Sequence, residues 1–441
     1  MAFDIKVARK EQNKIDLNRR KTTFEEIVVP FQKEDILEQT KRCLSCPNPK
    51  CEEGCPLHLP IRDMIKLISQ GKEEEAFQLI NNVSPFNGIC AIVCDHAAQC
   101  EGHCVRGIKD KPVNIGAIHR YTAFLDYEFK MDKKSDNDKK VAIIGAGPSG
   151  LSCAFELRKE GYQVTIYERE NHVGGVAYYG IPNFRFKLED LSKISKKCSD
   201  FGVNLQLNQE IKLFDIIDQY DAIYVAIGTQ KSKYMRIPGE DLKGIFTSEE
   251  FLKDIKINHN IDKYNEYHSA IVIGGGNVAM DVSRTLIRLG KDTTIVYRRS
   301  IEEAPARKDE IEEAKEEGIK FSFLNNPVMF LGSDKLEKIK IIKMELGEPD
   351  ASGRRRPVEI PNSEYDLKAD MVVLAIGQEI EKQYLDNIEL NWGTIKINEN
   401  YQTNIEKVFA GGDAVTGSKT VVHAIKEGIN ASKSIISFLN K

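Results

Sequence analysis

Residues 139–169, KKVAIIGAGPSGLSCAFELRKEGYQVTIYER, read as strand, tight turn, helix, strand. The apolar run 141–144 suits a strand buried on both faces. Gly145, Gly147 and Gly150 then form G-x-G-x-x-G and open a helix with apolar Leu151, Ala154, Phe155 and Leu157. A second strand, 164–167, ends in Glu168. Glycines so placed let the backbone approach a pyrophosphate at a helix N-terminus, and the terminal acid takes ribose hydroxyls. The unit reads as a site for FAD. It commits this part of the chain to an α/β fold with a parallel sheet.

A second unit follows in HSAIVIGGGNVAMDVSRTLIRLGKDTTIVYRRS. Gly274 and Gly276 hold the first two glycine positions, and Ala279 stands where the third belongs. Its second strand ends in Arg298 and Arg299 in place of an acid. A carboxylate repels a ribose 2′-phosphate, whereas a guanidinium pair clamps one, so this unit reads as NADP(H) rather than NAD(H). Two short strands ending in glycine, YVAIGT (224–229) and VVLAIGQ (372–378), look like points where the chain leaves and re-enters the first domain. Near the end, KVFAGGDAVTGSKTVVHAI offers a strand, Asp413, and a helix starting near Thr420 whose free N–H groups suit negative charge on a reduced flavin.

Eight of the ten cysteines lie between Cys43 and Cys104, in CLSCPNPKCEEGCP and CAIVCDHAAQCEGHC. The net charge of −4 points to no nucleic acid or anionic membrane. No apolar run nears the roughly 18 residues of a membrane span, and the basic start lacks the apolar core of a signal peptide. The cytoplasm is the expected compartment. There clustered thiols hold metal or do redox work more often than they form disulfides. The first group is the ferredoxin-like run C-x2-C-x2-C-x3-C-P stretched by two residues, and eight thiolates are about enough for two [4Fe–4S] clusters. Zinc is the alternative, although neither group pairs two C-x2-C knuckles. Cys153 and Cys198 stand alone as small buried hydrophobes.

These motifs, with GGVAYYGIPNFR, CVRGIKDKPVNIG and YQTNIEKVFAGGDAV, resemble the small (beta) subunit of bacterial glutamate synthase over essentially the whole chain. The large subunit of NADH-dependent ferredoxin:NADP oxidoreductase and the flavin portion of dihydropyrimidine dehydrogenase share the pattern. The resemblance implies a helical iron–sulfur domain (1–138), an FAD domain (139–232 and 378–441) and an inserted NADP(H) domain (233–377). It implies Cys43, Cys46, Cys51 and Cys104 on one cluster, and Cys55, Cys94 and Cys100 on the other. Relatives complete the second cluster with Gln or Glu in P-[VI]-x-I-G-x-[LI]-[QE], where this chain has His119, while Cys90 matches an extra cysteine that is not a ligand. For FAD it adds Gly175, Arg185, Gly228, Gly412, Thr420 and Val421, and for NADP(H) Asn277, Val278, Arg307 and Gly377.

The expected activity is NADPH-oxidising electron transfer. NADPH gives a hydride and a cluster takes one electron, so a flavin belongs between them. No general acid or base stands out. The expected partner is a protein carrying the substrate site, such as the glutamate synthase large subunit, or ferredoxin. The flavin subunit of a dihydropyrimidine dehydrogenase, or of a bifurcating or sulfide oxidoreductase, would use the same module. A stand-alone disulfide reductase would need a C-x-x-C beside the flavin, and neither Cys153 nor Cys198 has a neighbour.

Overall fold

The computed structural model describes residues 6–187, 196–350 and 353–441. Lys140–Ile144 is the central strand of a five-stranded parallel sheet, buried along all but its first residue. Gln163–Tyr167 and then Asn204–Gln206 lie on one side of it, and Ala222–Val225 and then Val408–Ala410 on the other. The register runs Val141 opposite Val164 and Ala222, so the apolar runs of neighbouring strands stack in layers. Such a strand, covered on both faces, needs the near-continuous apolar run seen in the sequence.

The second sheet repeats this plan. Ser269–Ile273 is central, with Asp292–Tyr297 and Lys320–Phe323 on one side and Met371–Leu374 and Ile245–Thr247 on the other. Of the two glycine-ending strands, the first thus belongs to the first sheet and the second to the second sheet. The chain passes between the sheets through Lys231–Ser232 and Gln378–Glu379, which pair with each other as a two-residue antiparallel ladder. An antiparallel sheet of Asn325–Leu331, Lys338–Pro349, Arg355–Glu359 and Tyr365–Lys368 rises between the last strands of the second unit.

Short helices make up the cysteine-rich part. In Ile61–Ser69 the buried residues are Ile61, Met64, Ile65 and Ile68, the i, i+3, i+4, i+7 stripe of a helix with one face in a core. That core is continuous with the first sheet: Ile89, Cys90 and Ile118 share a cluster with Val141, Leu151 and Phe409. The polar stretch after it is pinned rather than free. Lys134 N–H donates to Lys159 O, Asn137 N–H to Gly161 O, and Asp136 pairs with Arg158. The basic N-terminal arm runs the other way, onto the second unit: Lys14 reaches Glu313, and Arg20 reaches Glu316. No helix among the described residues is long and apolar enough to cross a membrane.

Candidate functional site

At the end of Lys140–Ile144 the chain turns through Gly145 at φ +104°. A side chain there would strike Ala226 O at 2.6 Å, and one at Gly150 would strike Gly145 O at 2.0 Å. Gly145 and Gly150 therefore allow strand, turn and helix to pack closely. Gly147 opens onto free space, leaving backbone exposed to a ligand. A cavity of about 1090 Å³, open solvent included, extends from this turn. Gly145, Gly147, Glu168, Gly175, Gly228 and Gly412 line it, as do Asp413, Thr420 and Val421.

Glu168 is buried, its Oε2 accepting from Ala146 N–H at 2.7 Å and its Oε1 from Glu170 N–H at 3.0 Å. Burial raises its pKa against those two bonds. Asp413 is pushed up to about 6 by burial, and the Lys419 N–H it accepts only partly offsets this. The helix Val421–Leu439 aims its N-terminus at this cavity and packs against Pro148–Lys159. Gly428 makes that approach, since a Cβ there would lie 2.1 Å from Ser149 O. Arg185 is not among the lining residues. Its Nη1 donates to Asp281 at 2.7 and 2.8 Å, and its Nη2 lies 2.5 Å from Glu310 Oε1.

The second turn follows the same rule. Gly274 has φ +145°, and a Cβ there would meet Ala375 O at 2.3 Å. Gly276 caps the helix Asn277–Arg288; Val278 on its first turn is exposed, and Gly377 sits at φ +97° facing open space. Arg298 is exposed. Arg299 is 5% exposed, its Nε donating to Arg355 O at 2.8 Å and its Nη2 to Asp350 Oδ2 at 2.5 Å. Arg307 gives its backbone N–H to Asn277 Oδ1, but its guanidinium pairs with Asp309 and approaches Ile92 O at 3.5 Å. The sequence pattern thus located the turn, and the structure turns Arg185 and Arg307 toward carboxylates.

Cys43, Cys46, Cys51 and Cys104 line one cavity of about 380 Å³. Burial pushes the Cys51 thiol up to about 12, with Cys104 and Cys43 adding to it, a cost that iron bound as thiolate removes. Among the described residues no three His, Cys, Asp or Glu side chains converge as for a single ion. The sulfurs stand around a space instead, which fits a cluster. Cys55, Cys94 and Cys100 are buried; the Cys55 thiol is raised in part by Cys94, and the Cys100 thiol in part by Cys55 and Cys94. Cys90 and Cys94 are free thiols joined by a hydrogen bond. His119, on Ile115–Ala123, is buried with Nε2 2.9 Å from Asn87 Oδ1. Asn87 Nδ2 donates to Ser84 O, which fixes its amide, so His119 Nε2 must carry the proton. Burial, then the neighbouring His96, lowers His119 to about 3 and keeps it neutral.

Residues 139–428 match the pyridine nucleotide-disulphide oxidoreductase model, and residues 19–132 match dihydropyrimidine dehydrogenase domain II, 4Fe-4S cluster. The glutamate synthase [NADPH] small chain of Halomonas elongata is 34% identical over 99% of this chain and 98% of its own. That of Escherichia coli K12 is 35% identical over the same shares. The chain belongs to the glutamate synthase small-chain family. It is an NADPH-dependent oxidoreductase that transfers electrons by FAD and 4Fe–4S chemistry. Another relative of the family, the NADPH-Fe(3+) oxidoreductase subunit beta of Geobacter sulfurreducens, is 34% identical over 89% of this chain and 64% of its own. FprA of Mycobacterium tuberculosis in complex with NADPH shares the fold, with TM-score 0.62 and 21% identity over 69% of this chain and 85% of its own.

Proposed function

We propose that the chain holds FAD in the cavity beside Gly147 and Glu168, and NADP(H) at the turn before Asn277, within domains bounded at 139–232 with 378–441 and at 233–377. We assign it two [4Fe–4S] clusters, one on Cys43, Cys46, Cys51 and Cys104, the other on Cys55, Cys94, Cys100 and His119. FAD held here would supply hydride exchange with nicotinamide and single-electron exchange with the clusters, chemistry no side chain supplies. The chain's own residues position and insulate. Gly147 brings backbone N–H groups to the pyrophosphate, Glu168 takes ribose hydroxyls, and the N-terminus of Val421–Leu439 favours negative charge on the flavin.

Graded burial is the observation that carries the order of transfer. Cys55, Cys94 and Cys100 are buried, and the helix Asn87–Val93 that ends at Cys94 packs on Val421–Leu439. Cys43, Cys46, Cys51 and Cys104 are only half-buried. The buried set thus stands toward the flavin, and the half-buried set is the exit to a partner protein. That partner carries the substrate site: a glutamate synthase large subunit, or another acceptor such as ferredoxin.

The purified chain should reduce ferricyanide or a tetrazolium dye with NADPH. Alone it should not convert 2-oxoglutarate plus glutamine at a comparable rate. Cys55→Ser should impair delivery to the partner protein more than to a dye that meets the flavin directly. Turnover of an organic substrate by the isolated chain as fast as the dye would overturn the reading.

A further inference from the structure

The two sheets are joined by little. Their connecting strands pair only as Gln378 with Ser232 and Glu379 with Lys231. Two strands so short form a hinge, and domains joined by one rotate unless their interface stops them. Across this interface Lys253 meets Glu170 at 2.9 Å, and a larger set of contacts falls on one segment of the flavin side, 181–185, IPNFR.

Ile181 packs in the core of the first sheet, and the polar and ring contacts that follow reach the segment from outside the flavin domain. Lys256, 5% exposed and within the π-helical turn Asp254–Asn258, donates through Nζ to Ile181 O. The Phe184 ring is fully buried under Arg288, whose Cζ lies 3.7 Å from the ring centroid, with that of Arg284 at 5.1 Å. Both arginines are held by Glu317, at 2.8 Å each, and Arg284 also by Glu313. Arg185 takes Asp281 in two bonds and stands against Glu310. The cysteine-rich domain closes the grip through its arm: Ile27 N–H donates to Phe184 O at 3.1 Å, and Arg288 Nε to Thr23 O at 2.9 Å.

Resting on the coenzyme reading above, we propose that 181–185 is an interdomain clamp, with Arg185 its positioning residue, holding the nicotinamide domain in one orientation over the flavin. The choice of chemistry supports this. An apolar contact would stabilise the interface about as well as a buried ion pair, but it is non-directional. A guanidinium bonded to one carboxylate through two oxygens and set against a second fixes angle as well as distance. Arg307, beside Glu310 and near Ile92 O, extends the same charged chain to the end of the helix that precedes Cys94.

The test uses the holoenzyme in single-turnover mixing with NADPH, following flavin absorbance. Arg185→Met should slow flavin reduction at saturating NADPH by about ten-fold or more, as small misplacements of reacting groups do. The NADPH concentration giving half the maximal rate should stay within about two-fold, since binding contacts are untouched. Reduction by dithionite, which needs no domain orientation, should be unchanged. Arg185→Lys should not restore the rate. A folded variant with the wild-type rate would overturn the clamp. Should Arg185→Met not fold, Arg185→Met with Asp281→Asn and Glu310→Gln removes the direction without stranding charge, and the same rate loss is expected. In the unaltered protein, amide exchange at 181–185 should be slow without coenzyme; exchange that slows only on NADPH addition would overturn the clamp. Wild-type flavin that NADPH fails to reduce would instead overturn the coenzyme reading, leaving the clamp to be judged by amide exchange.

Discussion

Arg299 is bound to Asp350: its Nη2 lies 2.5 Å from Asp350 Oδ2, and the residue is buried. Its neighbour Arg298 is exposed at the same strand end. The pair suggested by the sequence as one clamp is thus divided into an anchor and a free contact. Arg298→Ala should lower kcat/KM for NADPH by about ten- to hundred-fold, the worth of a charge-assisted bond to the 2′-phosphate, and leave NADH unchanged. Arg299→Ala should also lower the melting temperature, because it removes the bonds to Arg355 O, at the start of the strand Arg355–Glu359, and to Asp350. Steady-state kinetics with both coenzymes check this; equal losses with NADPH and NADH for Arg298→Ala would count against the phosphate contact.

Cys51→Ser should remove one cluster and leave FAD bound. The cavity it lines is bounded by Cys43, Cys46 and Cys104, whereas the flavin-side cavity is lined by residues from the first sheet and its turns. Iron analysis and the flavin absorbance band of the same sample give the answer. Loss of flavin together with iron would mean that the two sites fold as one.

Local motifs were legible, and long-range partners were not. Gly145, Gly147, Gly150 and Glu168 lie within one strand–turn–helix–strand unit, where backbone sterics dictate residue type. Arg185 was assigned to the flavin by motif membership, yet its partners Asp281 and Glu310 are remote in sequence, and nothing local announces them. The basic N-terminal arm read only as charge because Glu313 and Glu316, which it meets, lie on Lys308–Glu316. The antiparallel sheet went unread for a different reason. Lys338–Pro349 loses its alternation after Glu345, and its partner strand slips register between Pro327 and Met329. Spacing showed two groups of cysteines and the family resemblance implied their division between clusters, while their graded burial was not visible.

Lys256 gives a pH test. Burial lowers its ammonium to about 7, with Asp281 opposing. An exposed lysine titrates near 10.4, so between about pH 7 and 10.4 the unfolded chain holds a proton that the folded chain has released. Stability from this group therefore rises with pH across that window, and the full cost of burying the charge is borne below it. Lys256→Met removes the cost and the slope, but also the bond to Ile181 O. Relative to the variant, the wild type should gain on the order of a few kcal/mol between about pH 6.5 and about pH 9.5. Paired melting curves of holoprotein at both pH values check it; a constant difference would show that Lys256 stays charged.

The last test concerns His119. Its Nε2–H is fixed on Asn87 Oδ1, leaving Nδ1 as the nitrogen with a lone pair. That is the tautomer an imidazole needs to bind metal, and ligating histidines almost always give their other N–H to such an acceptor. A neutral ring is also required, and burial supplies it. If His119 completes the second cluster, His119→Ala should change the paramagnetic signal or midpoint potential of one cluster and leave the other as it was. Asn87→Ala keeps the ring but frees its orientation, so iron should be lost to a chelator about ten-fold faster from that cluster alone. His119→Gln, the residue type that the family resemblance implies here, should retain the cluster with an altered potential. Unchanged spectrum and potential in His119→Ala would make the histidine a packing residue and pass the fourth position to another donor.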